Sequence, residues 1–167
     1  MLEKIRKKIQ NNFYSVYSCY PCEYIKNSKE KKLVIDTSVL KSSIENPLNN
    51  LVIKSALLDN CLMLFNYDMF IEYFDILFNS KGTINKPFCD NFLIKLINKG
   101  VPILSNTPSC NTLNIKDSYF LDAFNTSKSA LNSLGYGGND IYLVTNSIKD
   151  YPKDSQIITP REYIYYY

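Results

Sequence analysis

The chain has 167 residues, 46% hydrophobic and 21% charged, the size and composition of one globular domain; a chain disordered throughout is excluded. It contains no histidine, which rules out Ser-His-Asp and Cys-His catalysis, His-ligated zinc and a His general base. Any chemistry rests on carboxylates, thiols, Lys, Tyr or a metal held by oxygens.

The net charge of +3 is unevenly spread. Residues 1–32 carry eight Lys/Arg and three Asp/Glu, and the remainder eleven and thirteen. In the first segment Leu2, Ile5, Ile9 and Phe13 recur at helical spacing between Lys4, Arg6, Lys7 and Lys8, the pattern of a short amphipathic helix. Residues 1–32 are therefore expected to be a basic extension or arm, and residues 33–167 the domain. Such an arm can bind nucleic acid, or simply present a solvated face. Tyr14, Tyr17, Tyr20 and Tyr24 could stack on bases or pack the arm against the domain. The charged opening, with no apolar stretch behind it, speaks against a signal peptide. No apolar run reaches the roughly 18 residues of a membrane span. A cytoplasmic protein with no membrane association is expected. The five cysteines, an odd number, then read as reduced thiols, and Cys19–Cys22 lacks the two further ligands that zinc requires.

Along the chain, Leu33–Ile35 reads as a buried strand ending in Asp36. Pro47 permits a helix over about 48–59. Cys61–Phe65 is a second strand, and Asn66 an N-cap for a helix from Tyr67 to about Asn79. A helix over Lys86–Lys99 is stopped by Gly100. Val101–Leu104 is a third strand, residues 105–116 a polar loop, and residues 118–134 a helix followed by a Gly-rich turn. Ile141–Val144 and Gln156–Ile158 complete the strands, and Thr159–Glu162 opens a last helical turn. Strands alternating with helices predict an α/β fold, with a mostly parallel central sheet flanked by helices in three layers.

Ligands of such sheets gather at the carboxyl ends of the strands. Asp36 ends the first strand, followed by the hydroxyls of Thr37 and Ser38. Glu72 lies in the helix after the second strand. Asp117 opens the helix before the fourth strand, with Asp122 about one and a half turns on. Thr145, Asn146 and Ser147 follow the fourth strand, and Asp150 comes a little later. Singly, each acid is a cap or a solvated helix residue. Together they are costly unless protonated or bound to a cation, and all-oxygen donors suit Mg²⁺ or Mn²⁺.

These segments resemble, in order, the motifs of the PIN domain family. Leu33-Val-Ile-Asp36-Thr-Ser-Val-Leu40 is similar to its opening strand and Asp-Thr-Asn/Ser element. Phe70-Ile-Glu72 resembles the helix carrying its second acid, and Asp117-Ser-Tyr-Phe-Leu-Asp122 its Asp-x-x-Phe-Leu-Asp/Glu element. Leu143-Val-Thr145-Asn-Ser147 resembles its Leu-Val-Thr-x-Asp/Asn strand and turn, and Ile157–Tyr163 its closing strand and helix.

The resemblance implies a PIN-like α/β fold and a Mg²⁺- or Mn²⁺-dependent ribonuclease. It implies catalytic acids at Asp36, Glu72, Asp117 and Asp122, the first three holding metal. Thr37, Ser38, Thr145, Asn146 and Ser147 become substrate or supporting residues. Implied partners are RNA, an antitoxin protein of a VapC-like toxin–antitoxin module, and a second copy in a homodimer. Ser147 stands where the family commonly has Asp or Asn, which removes one carboxylate. The alternative is thus a catalytically weak or inactive PIN domain that binds RNA or protein.

Overall fold

The computed structural model describes residues 31–58, 61–79, 86–103, 114–133, 135 and 140–166. The basic arm with its Tyr series and Cys19–Cys22, residues 105–113 of the polar loop, and residues 136–138 of the Gly-rich turn lie outside the described residues. Five strands form one sheet: β1 (Lys32–Ile35), β2 (Leu62–Phe65), β3 (Val101–Pro102), β4 (Ile141–Val144) and β5 (Ile157–Ile158). Every strand residue is buried, which is why these segments read as continuous apolar runs without alternation. The buried Lys32 is neutralised by Asp140, 2.5 Å away.

The spatial order is β3-β2-β1-β4-β5 and all four pairings are parallel. Helices α1 (Thr37–Ser42) and α2 (Pro47–Leu57) connect β1 to β2. Helices α3 (Tyr67–Asn79) and α4 (Lys86–Lys99) connect β2 to β3, and α5 (Ile115–Ser133) leads to β4. Helix α6 (Pro160–Tyr166) follows β5. The first two crossovers step away from β1 in one direction and the third returns past it. Helix α5 packs across β4, β2 and β1 and also against α3. The result is the expected three-layer α/β fold. No helix among the described residues is long and apolar enough to cross a membrane.

Local chemistry sets the helix ends. Asn46 Oδ1 accepts from the Leu48 and Asn49 amides at 2.9 and 3.4 Å, with Pro47 in the first turn. Asn66 Oδ1 accepts from the Met69 amide at 2.8 Å, and its Nδ2 donates to the Tyr119 carbonyl at 2.8 Å, tying α3 to α5. Thr159 and Glu162 form a reciprocal capping box for α6. Gly100 follows α4, and the position takes glycine because a Cβ there would stand 2.7 Å from the Phe65 ring and against the Leu96 carbonyl oxygen.

Helix α1 was not expected, because six residues are too few to show a period. It exists because Asp36 caps it. Helix α5 starts three residues earlier than the sequence pattern indicates, and β3 and β5 are shorter. The core between sheet and helices is centred on Tyr73, whose ring lies edge-on to Phe92 (5.4 Å) and tilted against Phe120 (5.9 Å). Its hydroxyl donates to the Ile35 carbonyl, one residue before Asp36.

Candidate functional site

The chain steps outward from β1 to β2 and β3 and then crosses back to β4. The strand order thus reverses between β1 and β4, and the carboxyl ends of two such strands are where a crevice forms in sheets of this kind. Asp36 stands there, 2% exposed. A buried carboxylate must be met by donors, and Asp36 has four. Oδ2 accepts from Thr145 Oγ1 at 2.5 Å and from Ser38 Oγ at 3.0 Å. Oδ1 accepts from the Ser38 amide and Thr37 Oγ1, both at 3.3 Å.

The segment after β4 is latched to the same point. Thr145 is fully buried, and its hydroxyl oxygen also accepts from the Ser147 amide at 2.9 Å. The Asn146 amide donates to Ser38 Oγ at 3.2 Å and its side-chain amide to the Ser38 carbonyl at 3.0 Å. Ser147 then opens a single 3₁₀ turn, Ile148–Asp150, closed by the Asp150 amide donating to the Ser147 carbonyl.

Three further acids approach this crevice from separate elements. Asp117, in the first turn of α5, is pushed up to about 6, first by burial and then by the charges of Asp36, Asp150 and Glu72. Four carboxylates from β1, α3, α5 and the 3₁₀ turn therefore share one field. Asp122 is half-buried further along α5 and is not among the groups that act on Asp117. Glu72 has its own counter-ion: Lys116 Nζ lies 3.2 Å from its Oε1, with the lysine largely exposed and the glutamate largely covered. This cation adjoins Asp117 in sequence, so the acid motifs are not free of basic residues.

From the sequence, Asp150 and Asn146 are the neighbours that could make up for the carboxylate missing at Ser147. The 3₁₀ turn brings Asp150 back to the acids three residues beyond Ser147. Its neighbour Tyr151 went unnoticed. The Tyr151 residue is 6% exposed and its hydroxyl has no hydrogen-bond partner. Burial, then the charges of Asp36 and Asp117, raise its phenol far above the usual range. Burial and the Asp36 charge likewise raise Tyr73.

Among the described residues, no group of three or more Asp, Glu or Cys stands close enough to hold a metal ion. The acids are within repulsion range of one another and outside ligand range. An open groove of about 550 Å³ is lined by Ile148, Lys149, Tyr151, Pro152 and Lys153 among others, and none of Asp36, Glu72, Asp117 and Asp150 is among its lining residues. A second groove, between α2 and α4, is remote in sequence from every acid named above and includes Leu57, Ile94 and Lys99. No known protein family, curated protein or solved structure matches this chain. The three-layer architecture is compatible with a PIN-type fold and with a hydrolase domain.

Proposed function

We propose that the chain is a metal-dependent endoribonuclease of the PIN type, hydrolysing RNA phosphodiester bonds as the toxin of a toxin–antitoxin module. The observation that carries this reading is that Asp36, Glu72 and Asp117, from three elements, lie near enough to the end of the sheet where strand order reverses to act on one another: burial, then the charges of Asp36, Asp150 and Glu72, raise Asp117 to about 6. Such a cluster is unfavourable by itself and becomes favourable with a cation.

In chemical type the donors suit a hard divalent ion, carboxylate oxygens with hydroxyls behind them, and holding one would require the acids to draw closer than they stand. Asp36, Glu72 and Asp117 would hold Mg²⁺ or Mn²⁺, with Asp150 supplying the carboxylate that Ser147 lacks. Glu72 would give up Lys116 to do so. A bound ion would lower the pKa of a coordinated water and offset charge on the scissile phosphate.

The chain's own residues do the rest. Thr145 and Ser38 hold Asp36 through its Oδ2. Asp117, raised to about 6 first by burial, would orient the attacking water and take its proton. Asp122 would act from further along α5. Lys149 and Lys153 would bind phosphates flanking the cleaved bond, and the basic residues before β1 would extend that track. An antitoxin would act by covering the acids. The same reading makes residues 1–32 an arm on the domain, the protein cytoplasmic, and a homodimer the form to look for.

Purified full-length protein, freed of any bound protein, should cleave RNA with Mn²⁺, leaving 5′-phosphate and 3′-hydroxyl ends. EDTA and Asp36→Asn should each abolish cleavage. Full activity in either case would refute the proposal.

A second reading is favoured by the Lys116–Glu72 pair and by Ser147. A site whose glutamate already has a counter-ion, and which lacks one carboxylate, suits a binding module that has lost turnover. Folded protein that binds RNA in EDTA and never cleaves it would establish that reading.

A further inference from the structure

Parallel strands are joined by a crossover that is usually an α-helix. Between the parallel β4 and β5 the connection, residues 145–156, holds one 3₁₀ turn and no α-helix. Every described residue lining the groove of about 550 Å³ falls within 148–157, so the groove belongs to this short connection. The loop is tied into one path. Asp154 Oδ1 accepts from the Gln156 amide at 2.9 Å, its carbonyl from the Ile157 amide at 3.1 Å, and its Oδ2 from Lys128 Nζ at 2.8 Å. A site held in place before its ligand arrives loses little ordering entropy on binding.

Two kinds of surface meet in the groove. Ile148 is 41% exposed and Pro152 is exposed. Tyr151, whose hydroxyl is buried, meets the groove with its ring. Beside these apolar groups, Lys149 and Lys153 are exposed, and neither has a carboxylate partner among the described residues. The acid among the described lining residues, Asp154, is already met by Lys128. The groove is therefore cationic and partly apolar, with a volume inside the roughly 300–1,000 Å³ of small-ligand pockets. A nucleotide offers the matching halves, a flat base with an apolar face and an anionic phosphate. An acidic peptide would use the lysines and leave the apolar part bare.

Resting on the RNA reading above and on no bound metal, we infer that this groove is a subsite for one unpaired nucleotide of the RNA: its base packs against Ile148, Tyr151 and Pro152, and its flanking phosphates pair with Lys149 and Lys153. The base is unpaired because a base within a duplex keeps its faces stacked on its neighbours. Phosphate contacts hold a strand without reading it, whereas a seated base fixes which nucleotide lies where.

The test is fluorescence anisotropy of the full chain in EDTA, with a labelled single-stranded oligoribonucleotide and with an abasic strand of the same length and charge. The base-bearing strand should bind about tenfold more tightly. Ile148→Ser with Pro152→Ala should remove most of that advantage and leave the affinity for the abasic strand unchanged. Both side chains are exposed, so the melting curve should not move, and Ile148→Ser alone is read in the same way. Lys149→Gln with Lys153→Gln should weaken both strands alike. Equal affinity of the wild type for the two strands, or a base-dependent advantage that survives in the apolar variants, would overturn the inference. So would displacement of the base-bearing strand by polyglutamate as readily as by unlabelled RNA, which would make the groove an acidic-peptide surface. Absence of RNA binding would overturn it as well, whereas the nuclease reading is decided separately by Mn²⁺-dependent cleavage.

Discussion

Thr145 donates its hydroxyl to Asp36 Oδ2 at 2.5 Å, joining residues 109 apart in sequence at the ends of two adjacent parallel strands. One hydroxyl thereby orients the central acid and, by accepting from the Ser147 amide, starts the turn that returns Asp150 to the acids. Acid orientation and loop path depend on the same atom.

Thr145→Val keeps the shape and removes that atom. Hydrogen bonds to charged groups contribute about 1.5–3 kcal/mol, so the variant should lose about 2 kcal/mol of stability in urea unfolding. Serine at the same position should recover most of it. A valine variant as stable as wild type would show that the latch contributes nothing.

Asp117 gives the metal-free protein a definite pH dependence. Its folded pKa is raised to about 6 from 3.8. The unfolded chain therefore releases this proton at lower pH than the folded one, and stability falls as pH rises from about 4 to about 6, staying low above that. Asp117→Asn should be more stable than wild type at pH 7. The gain should be about 1 kcal/mol once solvent screening is allowed for, fading toward pH 4. Thermal melts across that range would check it, and a gain largest at acid pH would contradict the electrostatic assignment.

Lys116→Gln removes the cation that competes for Glu72. The pair is exposed on the lysine side, so stability should change by less than about 1 kcal/mol. Mn²⁺ affinity should increase several-fold, as measured by calorimetry. Weaker Mn²⁺ binding would mean that Lys116 helps to assemble the acids.

Lys149 and Lys153 are tested through salt. Each phosphate contact to a single strand contributes about 0.7 to the slope of log affinity against log salt. The double glutamine variant should lose about 1.4 of that slope if both lysines touch RNA. An unchanged slope would place the RNA elsewhere.

The sheet was readable because a parallel sheet buried on both faces leaves continuous apolar runs, as at Leu62–Phe65, and because Asn66 and Gly100 mark helix ends chemically. Helix α1 was not readable, since one and a half turns show no period and its cause is a cap also engaged with Thr145. Asp36, Thr145 and Asp117 stood out by their places at strand or helix ends. The Lys116–Glu72 pair could not be foreseen, because it joins residues 44 apart in sequence through the packing of α3 on α5. Asp150 and Tyr151 enter the site through a 3₁₀ turn only three residues long, which no periodicity reveals. The spacing from Ser147 to Asp150, one such turn, was the available signal.

The most direct test is Mn²⁺ binding to the full-length protein by calorimetry, in wild type, Asp36→Asn, Asp117→Asn and Asp122→Asn, each shown to be folded by its melting curve. A single divalent-cation site in the crevice requires saturable binding in the wild type, lost in the Asp36 and Asp117 variants, with Asp122→Asn retaining most of the affinity. No saturable binding in the wild type, or binding indifferent to Asp36 and Asp117, would contradict it.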